Sequence, residues 1–218
     1  MSEESKAILL PGDLVSDSSK RLDGCFVEKG STFASVVSMK VGDRVIPLKG
    51  FYIPRFGDYV VGIVKEVRFS GYEAEINSPY YGNLSARELR EDYRIGDVFS
   101  AKIASVNEVN DAELVEARRL WGGEILEIEH VKVPRVIGRN ASMLNMIKEY
   151  TRTDILVGKN GRIYMKGGDT ALASLTMLKI CREAHTSGLT ERVKEFLEKE
   201  SGKNGIAKEK EQEVGFNG

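Results

Sequence analysis

Residues 131–166 read VKVPRVIGRNASMLNMIKEYTRTDILVGKNGRIYMK, and the period of their apolar residues changes twice. Ile125, Ile128, Val131 and Val133 form a β-rich run that is predicted to stop at Pro134. The short turn Gly138-Arg139-Asn140-Ala141 then opens a helical spacing, with Met143, Leu144, Met146, Ile147 and Tyr150 on one face. Residues 154–157 and 162–165 read as two short strands joined by Gly158-Lys159-Asn160-Gly161. Asn-Gly is a tight-turn pair because both residues tolerate positive φ. A last helix is predicted from Asp169, a good N-cap, to Ala184. The order of elements is β-α-α-β-β-α, with a glycine-led polar turn between the first two helices.

Upstream, one short pattern recurs: Pro11-Gly12-Asp13-Leu14-Val15, Val41-Gly42-Asp43-Arg44-Val45, Phe56-Gly57-Asp58-Tyr59-Val60 and Ile95-Gly96-Asp97-Val98-Phe99. Gly-Asp makes a turn and the next residues start a strand. The unequal spacings mark four strand starts rather than four repeats. Residues 1–54 read as a small β domain with strands at 25–27, 32–39 and 45–48 and a hairpin at Asp23-Gly24. Its expected role is to pack on a partner. Residues 55–121 read as a second unit. Residues 59–67 are a long β-branched strand containing Gly62, which would permit a sharp bend. Residues 72–76 alternate, 83–89 read as a short turn or helix, and 98–106 and 113–117 are further strands. These are four strands, and a five-stranded OB-type barrel in about 65 residues is expected. Residues 122–188 hold the β-α-α-β-β-α unit. In the final segment, 189–218, a short amphipathic helix over 190–200 carries Val193, Phe196 and Leu197 on one side. From Ser201 the chain is rich in Gly, Lys and Glu, and disorder is expected. The fold class is multidomain, β-rich plus α/β.

A chain of 218 residues has room for two or three such domains. No run approaches the roughly 18 apolar residues of a membrane helix. The opening MSEESK does not look like a signal peptide, so a cytoplasmic protein is expected. Cys25 and Cys181 stand alone and read as two reduced thiols. A net charge of −1 argues against a general polyanion binder. Charge is nevertheless uneven. Between 132 and 166 the bases are Lys132, Arg135, Arg139, Lys148, Arg152, Lys159, Arg162 and Lys166, against Glu149 and Asp154 alone. A solvated face explains this as well as a binding surface does.

The glycine-led turn and element order of 122–188 resemble a KH domain, in which that turn lets a nucleic-acid backbone approach a helix N-terminus. The run GDYVVGIVKEV…FSGYEAEI…YGNLSAREL…IGDVFSAKIASV resembles the S1 RNA-binding subfamily of OB folds in strand order and glycine placement. A β domain, one S1 domain and one KH domain in this order resemble the RNA-binding cap subunits of the archaeal exosome, over residues 7 to 200 or so. Gly158-Lys159-Asn160-Gly161 matches the GxNG motif of that family. The resemblance implies that this motif is buried between the S1 and KH domains and is structural. It also implies a non-catalytic subunit that recruits single-stranded RNA. Three copies would sit on a six-membered ring of RNase PH-like subunits, which degrades or processes RNA phosphorolytically from 3′ to 5′. A second resemblance is to bacterial transcription antitermination factors, which also run S1 then KH but carry two KH domains.

RNA binding by an OB barrel needs aromatic faces for bases and cations for phosphates. The barrel candidates are Lys65, Arg68, Phe69, Tyr72, Tyr80 and Tyr81, since Arg68-Phe69 and Tyr80-Tyr81 flank predicted turns. Barrel cores also take aromatics, so burial is the alternative for at least one ring of each pair. Ser70 stands before Gly71 where many S1 domains have Phe, leaving Phe69 and Tyr72 to supply the stacking surface. In the KH-like unit Arg135, Arg139 and Asn140 are the phosphate candidates. Its turn departs from GxxG, because Ala141 adds a Cβ where a backbone would approach. Lys159 and Asn160 are assigned to structure. Arg118 and Arg119, beside Trp121, are expected to pair with Glu124, Glu127 and Glu129.

No enzymatic pattern emerges. Gly158-Lys159-Asn160-Gly161 lacks the spacing and Lys-Ser/Thr pair of a P-loop. His130 and His185 have no ligand partners at metal spacing, and there is no HExxH or Ser/His/Asp order. No catalytic residue, metal or cofactor is expected.

Overall fold

The computed structural model describes residues 6–214 except 21, 23, 49, 90 and 185–187, and only the backbone of residues 6, 88 and 202–214. The chain divides into two compact units, one ending at Phe51 and one beginning at Tyr52.

The first unit is two three-stranded antiparallel sheets. One has the order β1 (Lys6–Leu9), β5 (Ser38–Val41), β6 (Arg44–Pro47); the other β2 (Leu14–Ser16), β4 (Ser31–Ala34), β3 (Cys25–Glu28). The single strand expected over 32–39 is therefore two. The Ser35 amide leaves the ladder to donate to the Gly24 carbonyl at 2.8 Å, and the chain crosses to the other sheet before Ser38. Asp23 of the anticipated hairpin lies outside the described residues. The core is small, with Leu9, Val15 and Ala34 buried. Two apolar cross-strand rows remain partly exposed: Ile8–Met39–Ile46 and Leu14–Phe33–Phe26, the last two rings stacked at 5.7 Å.

In the second unit, β7 (Tyr59–Arg68), β8 (Gly71–Glu75), β9 (Tyr81–Ser85), β10 (Val98–Val106) and β11 (Ala112–Leu120) close into a barrel of order β10-β11-β9-β8-β7. All neighbours are antiparallel except β9 and β11, which is the OB arrangement. The sequence missed β9: of the segment 83–89 read as turn or helix, residues 83–85 close that strand and Ala86–Glu88 form a 3-10 helix. Gly82, Asn83 and Ser85 are poor strand formers; pairing with β8 on one side and β11 on the other holds them extended.

Each of the four Gly-Asp turns does precede a strand: β2, β6, β7 and β10. In three of them the Asp amide donates back three residues, to Leu10, Arg55 and Arg94, with the glycine at positive φ as a type II turn requires. Gly62 makes room for a ring on the neighbouring strand. A Cβ there would lie 2.5 Å from the ring of Phe99, which is fully buried in the barrel. Gly62→Ala should therefore overpack the barrel and lower stability by about 1–3 kcal/mol in a denaturant titration.

After the barrel come β12 (Glu124–Glu127), α1 (Val133–Ile137), α2 (Ser142–Thr151), β13 (Asp154–Val157), β14 (Arg162–Lys166) and α3 (Thr170–Glu183), the β-α-α-β-β-α order of a type I KH fold. The sheet order is β12-β14-β13, all antiparallel. The first strand ends at Glu127, earlier than expected. Val131 and Val133 lie in a 3-10 turn and in α1, and Pro134 sits in the first turn of that helix, where its missing N–H costs nothing. Asp169 caps α3 as expected, its carboxylate accepting from the Leu172 amide at 2.9 Å. The core gathers Val133, Val136, Met143, Ile147, Ile155, Ile163, Met177 and Ile180, with Leu189, Val193 and Leu197 added from α4 (Leu189–Val214). Burial pushes the Cys181 thiol up to about 11, so it stays protonated at neutral pH.

Helix α4 continues well past Glu200, where disorder was expected. The segment after Gly205 is dense in Ala, Lys, Glu and Gln, all good helix formers, and this outweighs its lack of apolar residues. Residues 215–218 lie outside the described residues.

Candidate nucleic-acid interface

The barrel assembles one cluster from three strands. Lys65 lies where the β7–β8 register shifts between Val64 and Glu66. Such a bulge turns a side chain out of the regular alternation. Its ammonium donates to the Tyr81 hydroxyl at 2.8 Å and lies 4.1 Å from the centre of that ring. This hydrogen bond, with the nearby Glu73 carboxylate adding and partial burial opposing, shifts the Lys65 pKa upward and keeps it charged. Arg68, at the end of β7, donates to Glu66 at 3.2 Å and also contacts Glu73. Phe69, at the tip of the β7–β8 hairpin, is fully exposed. Lys65, Arg68, Phe69 and Tyr81 thus present two cations and two aromatic rings. That is the combination a single-stranded nucleic acid needs for its phosphates and bases.

Two further barrel candidates fare differently. Tyr72 is buried in the core, its hydroxyl accepting from the Tyr93 amide at 3.2 Å and its ring meeting the Tyr93 ring edge at 5.7 Å. It is not a stacking platform. Strand alternation turns Tyr72 inward opposite Leu84 and leaves the next residue, Glu73, on the other side. Tyr80 is half-buried in the connection before β9, with its amide donating to the Ser78 hydroxyl.

A second group sits on α1 and the KH turn that follows it. Arg135, Arg139 and Asn140 are exposed. Gly138, Asn140 and Ala141 all have positive φ, at 73°, 51° and 59°. Ala141 thus occupies the left-handed region that its missing glycine would have favoured.

The Gly158–Gly161 turn is a joint. Gly161 takes the positive φ, 80°, but Asn160 does not; it contributes its side chain instead. Asn160 has no exposed surface. Its Nδ2 donates to the carbonyls of Val61 and Ile76 at 2.8 Å each, and its Oδ1 accepts from the Val61 amide at 3.3 Å. Its own carbonyl accepts from Asn77 Nδ2 at 2.9 Å. Of Lys159 only the amide is structural, donating to the Tyr59 carbonyl at 2.8 Å; the side chain is exposed.

Beside it lies Arg162, which the sequence reading counted as one base among many. It is 3% exposed and reaches Glu75 on β8 and Glu127 on β12, both at 2.6 Å. The available signal was a charged residue directly before the apolar run 163–165. Because Glu127 is committed to Arg162, it does not pair with Arg118 or Arg119 as expected. Arg119 contacts Asp97, and its guanidinium lies 3.8 Å from the centre of the Trp121 ring, while Arg118 is exposed. Burial raises the Asp97 pKa, but the Arg94 amide and the Arg119 guanidinium outweigh it and hold that carboxyl below its usual range.

A closed OB barrel joined through a buried asparagine turn to a type I KH fold places the protein in the S1–KH class of nucleic-acid-binding folds. No protein-family profile matches the chain. It is 38% identical over 220 residues to the exosome complex component Rrp4 of Pyrococcus horikoshii, covering 89% of this chain and 83% of that one. It is 39% identical over 219 residues to the protein of the same name from Thermoplasma acidophilum, covering 90% and 92%. A crystal structure of a chain assigned to the exosome as an RNA-binding protein superposes with a TM-score of 0.64 at 34% identity, covering 69% of this chain and 97% of that one. The chain belongs to the Rrp4 family of exosome components.

Proposed function

We propose that this protein is a non-catalytic RNA-binding cap subunit of an exosome. It holds single-stranded RNA and directs it into a ring of RNase PH-like subunits for 3′-to-5′ degradation or processing. Three copies sit on a six-membered ring in the cytoplasm. The observation that carries this reading is the Lys65–Arg68–Phe69–Tyr81 surface on the barrel of an Rrp4-family chain. The exposed rows Ile8–Met39–Ile46 and Leu14–Phe33–Phe26 supply apolar surface for docking on the ring. Among the described residues no helix is long and apolar enough to cross a membrane.

Co-elution with a purified RNase PH-like ring in size-exclusion chromatography is the expected result. Separate elution at micromolar concentration would remove the assembly half of the proposal. Phosphate, Mg²⁺ and labelled RNA should give no shortening with this chain alone. Phe69→Ala should weaken RNA binding about 5- to 100-fold, the loss of one stacked base, and leave ring assembly unchanged. Unaltered fluorescence anisotropy titrations would show that the hairpin tip is not the RNA face. Three copies around one pore would raise apparent affinity through multivalency.

A further inference from the structure

The barrel cluster contains as many acids as bases. Glu66 and Glu73 are direct cross-strand partners in the β7–β8 ladder. Two like charges in that register repel unless something neutralises them. Lys65 and Arg68 do so. Arg68 contacts both carboxylates, and Lys65 lies 3.6 Å from Glu73. The two glutamates differ in exposure. The Glu66 side chain is about half exposed, so water and salt screen it. Glu73 is 7% exposed and lies in a poorly screened place. A phosphate approaching Lys65 and Arg68 therefore meets a carboxylate already holding both cations.

We infer that Glu73 is an affinity-setting residue, an electrostatic brake that occupies the RNA-binding cations of the barrel and keeps the isolated subunit a weak binder. The inference rests on the RNA-binding reading of this face. The rival role, in which Glu73 positions the cations for RNA, is disfavoured because each cation has a second anchor. Lys65 is held by the hydroxyl and ring of Tyr81, and Arg68 by Glu66. Neutralising Glu73 leaves both anchors in place and relieves the Glu66–Glu73 opposition across the ladder.

The test is Glu73→Gln in the full chain, titrated against a short fluorescein-labelled oligoadenylate over a range of salt concentrations, beside wild type, Glu66→Gln and Phe69→Ala. Releasing one or two cations to phosphate should steepen the slope of log affinity against log salt by about 0.7 to 1.4. It should also raise low-salt affinity about threefold to tenfold. Glu66→Gln, at a screened position, should do less. A purely structural role would not move the salt slope. If Phe69→Ala weakens binding while Glu73→Gln leaves it unchanged or weakens it, the brake is refuted and the binding face stands. If neither substitution alters binding, the face itself is wrong and the brake falls with it. An unchanged melting temperature of the Glu73→Gln protein shows that the comparison is between folded chains.

Discussion

Asn160→Ala should destabilise the second unit by about 3–5 kcal/mol. One side chain satisfies three buried backbone groups, the Val61 amide and the carbonyls of Val61 and Ile76. Each such group left without a partner costs about 1–3 kcal/mol, and a water entering the vacated space recovers part of the sum. Those groups belong to β7 and to the residue just after β8, whereas Asn160 belongs to the β13–β14 turn. The loss therefore also severs the barrel from the KH fold. Calorimetry of the wild type should show one cooperative transition for this unit, and the variant a lower and broader or divided one. Asn160→Asp should be no milder, because a carboxylate cannot donate to the two carbonyls. A destabilisation below about 1 kcal/mol for both variants would show that the turn is not the joint.

Arg162→Ala should cost about 2–4 kcal/mol and act on the same joint. The guanidinium is buried and bridges Glu75 of the barrel to Glu127 of the KH sheet. Removing one partner of a fully buried pair costs more, roughly 3–5 kcal/mol. Here Glu75 and Glu127 are partly exposed and rehydrate, so the figure is discounted. Arg162→Met, which keeps most of the volume, should recover part of the loss. Because Asn160 and Arg162 close one interface from neighbouring positions, the double variant should lose less than the sum of the two. Strict additivity would mean that they support the two folds separately. Neither substitution touches Phe69, so RNA affinity of the folded fraction should change little.

Much of the candidate site was legible in sequence because hairpin tips expose their residues. Phe69 lies where a strand must turn, and it is exposed. Tyr72, three residues on, was misplaced for an equally local reason. In a strand of a closed barrel, alternation decides which ring turns inward, and the pleat's phase cannot be known until the register with Leu84 is set. The expected pairing of Arg119 with the acidic run failed because nearness in sequence is a poor guide to partners in a β-rich fold. Asp97, brought alongside by the β10–β11 ladder, takes that arginine instead.

Local signals by themselves determined the order of the modules, the four turn-to-strand starts and the cap of α3. These depend on backbone preferences and apolar periods that act over a few residues. Only the tertiary structure decided that Asn160 spends its side chain on the barrel, that Arg162 is buried between two glutamates, and that Glu73 holds the cations beside Phe69. Each of these joins residues from different strands, in one case about a hundred positions apart. Such meetings depend on how sheets close and pack, and even the nearest pair, Arg68 and Glu73, meets across a ladder whose register the sequence does not show.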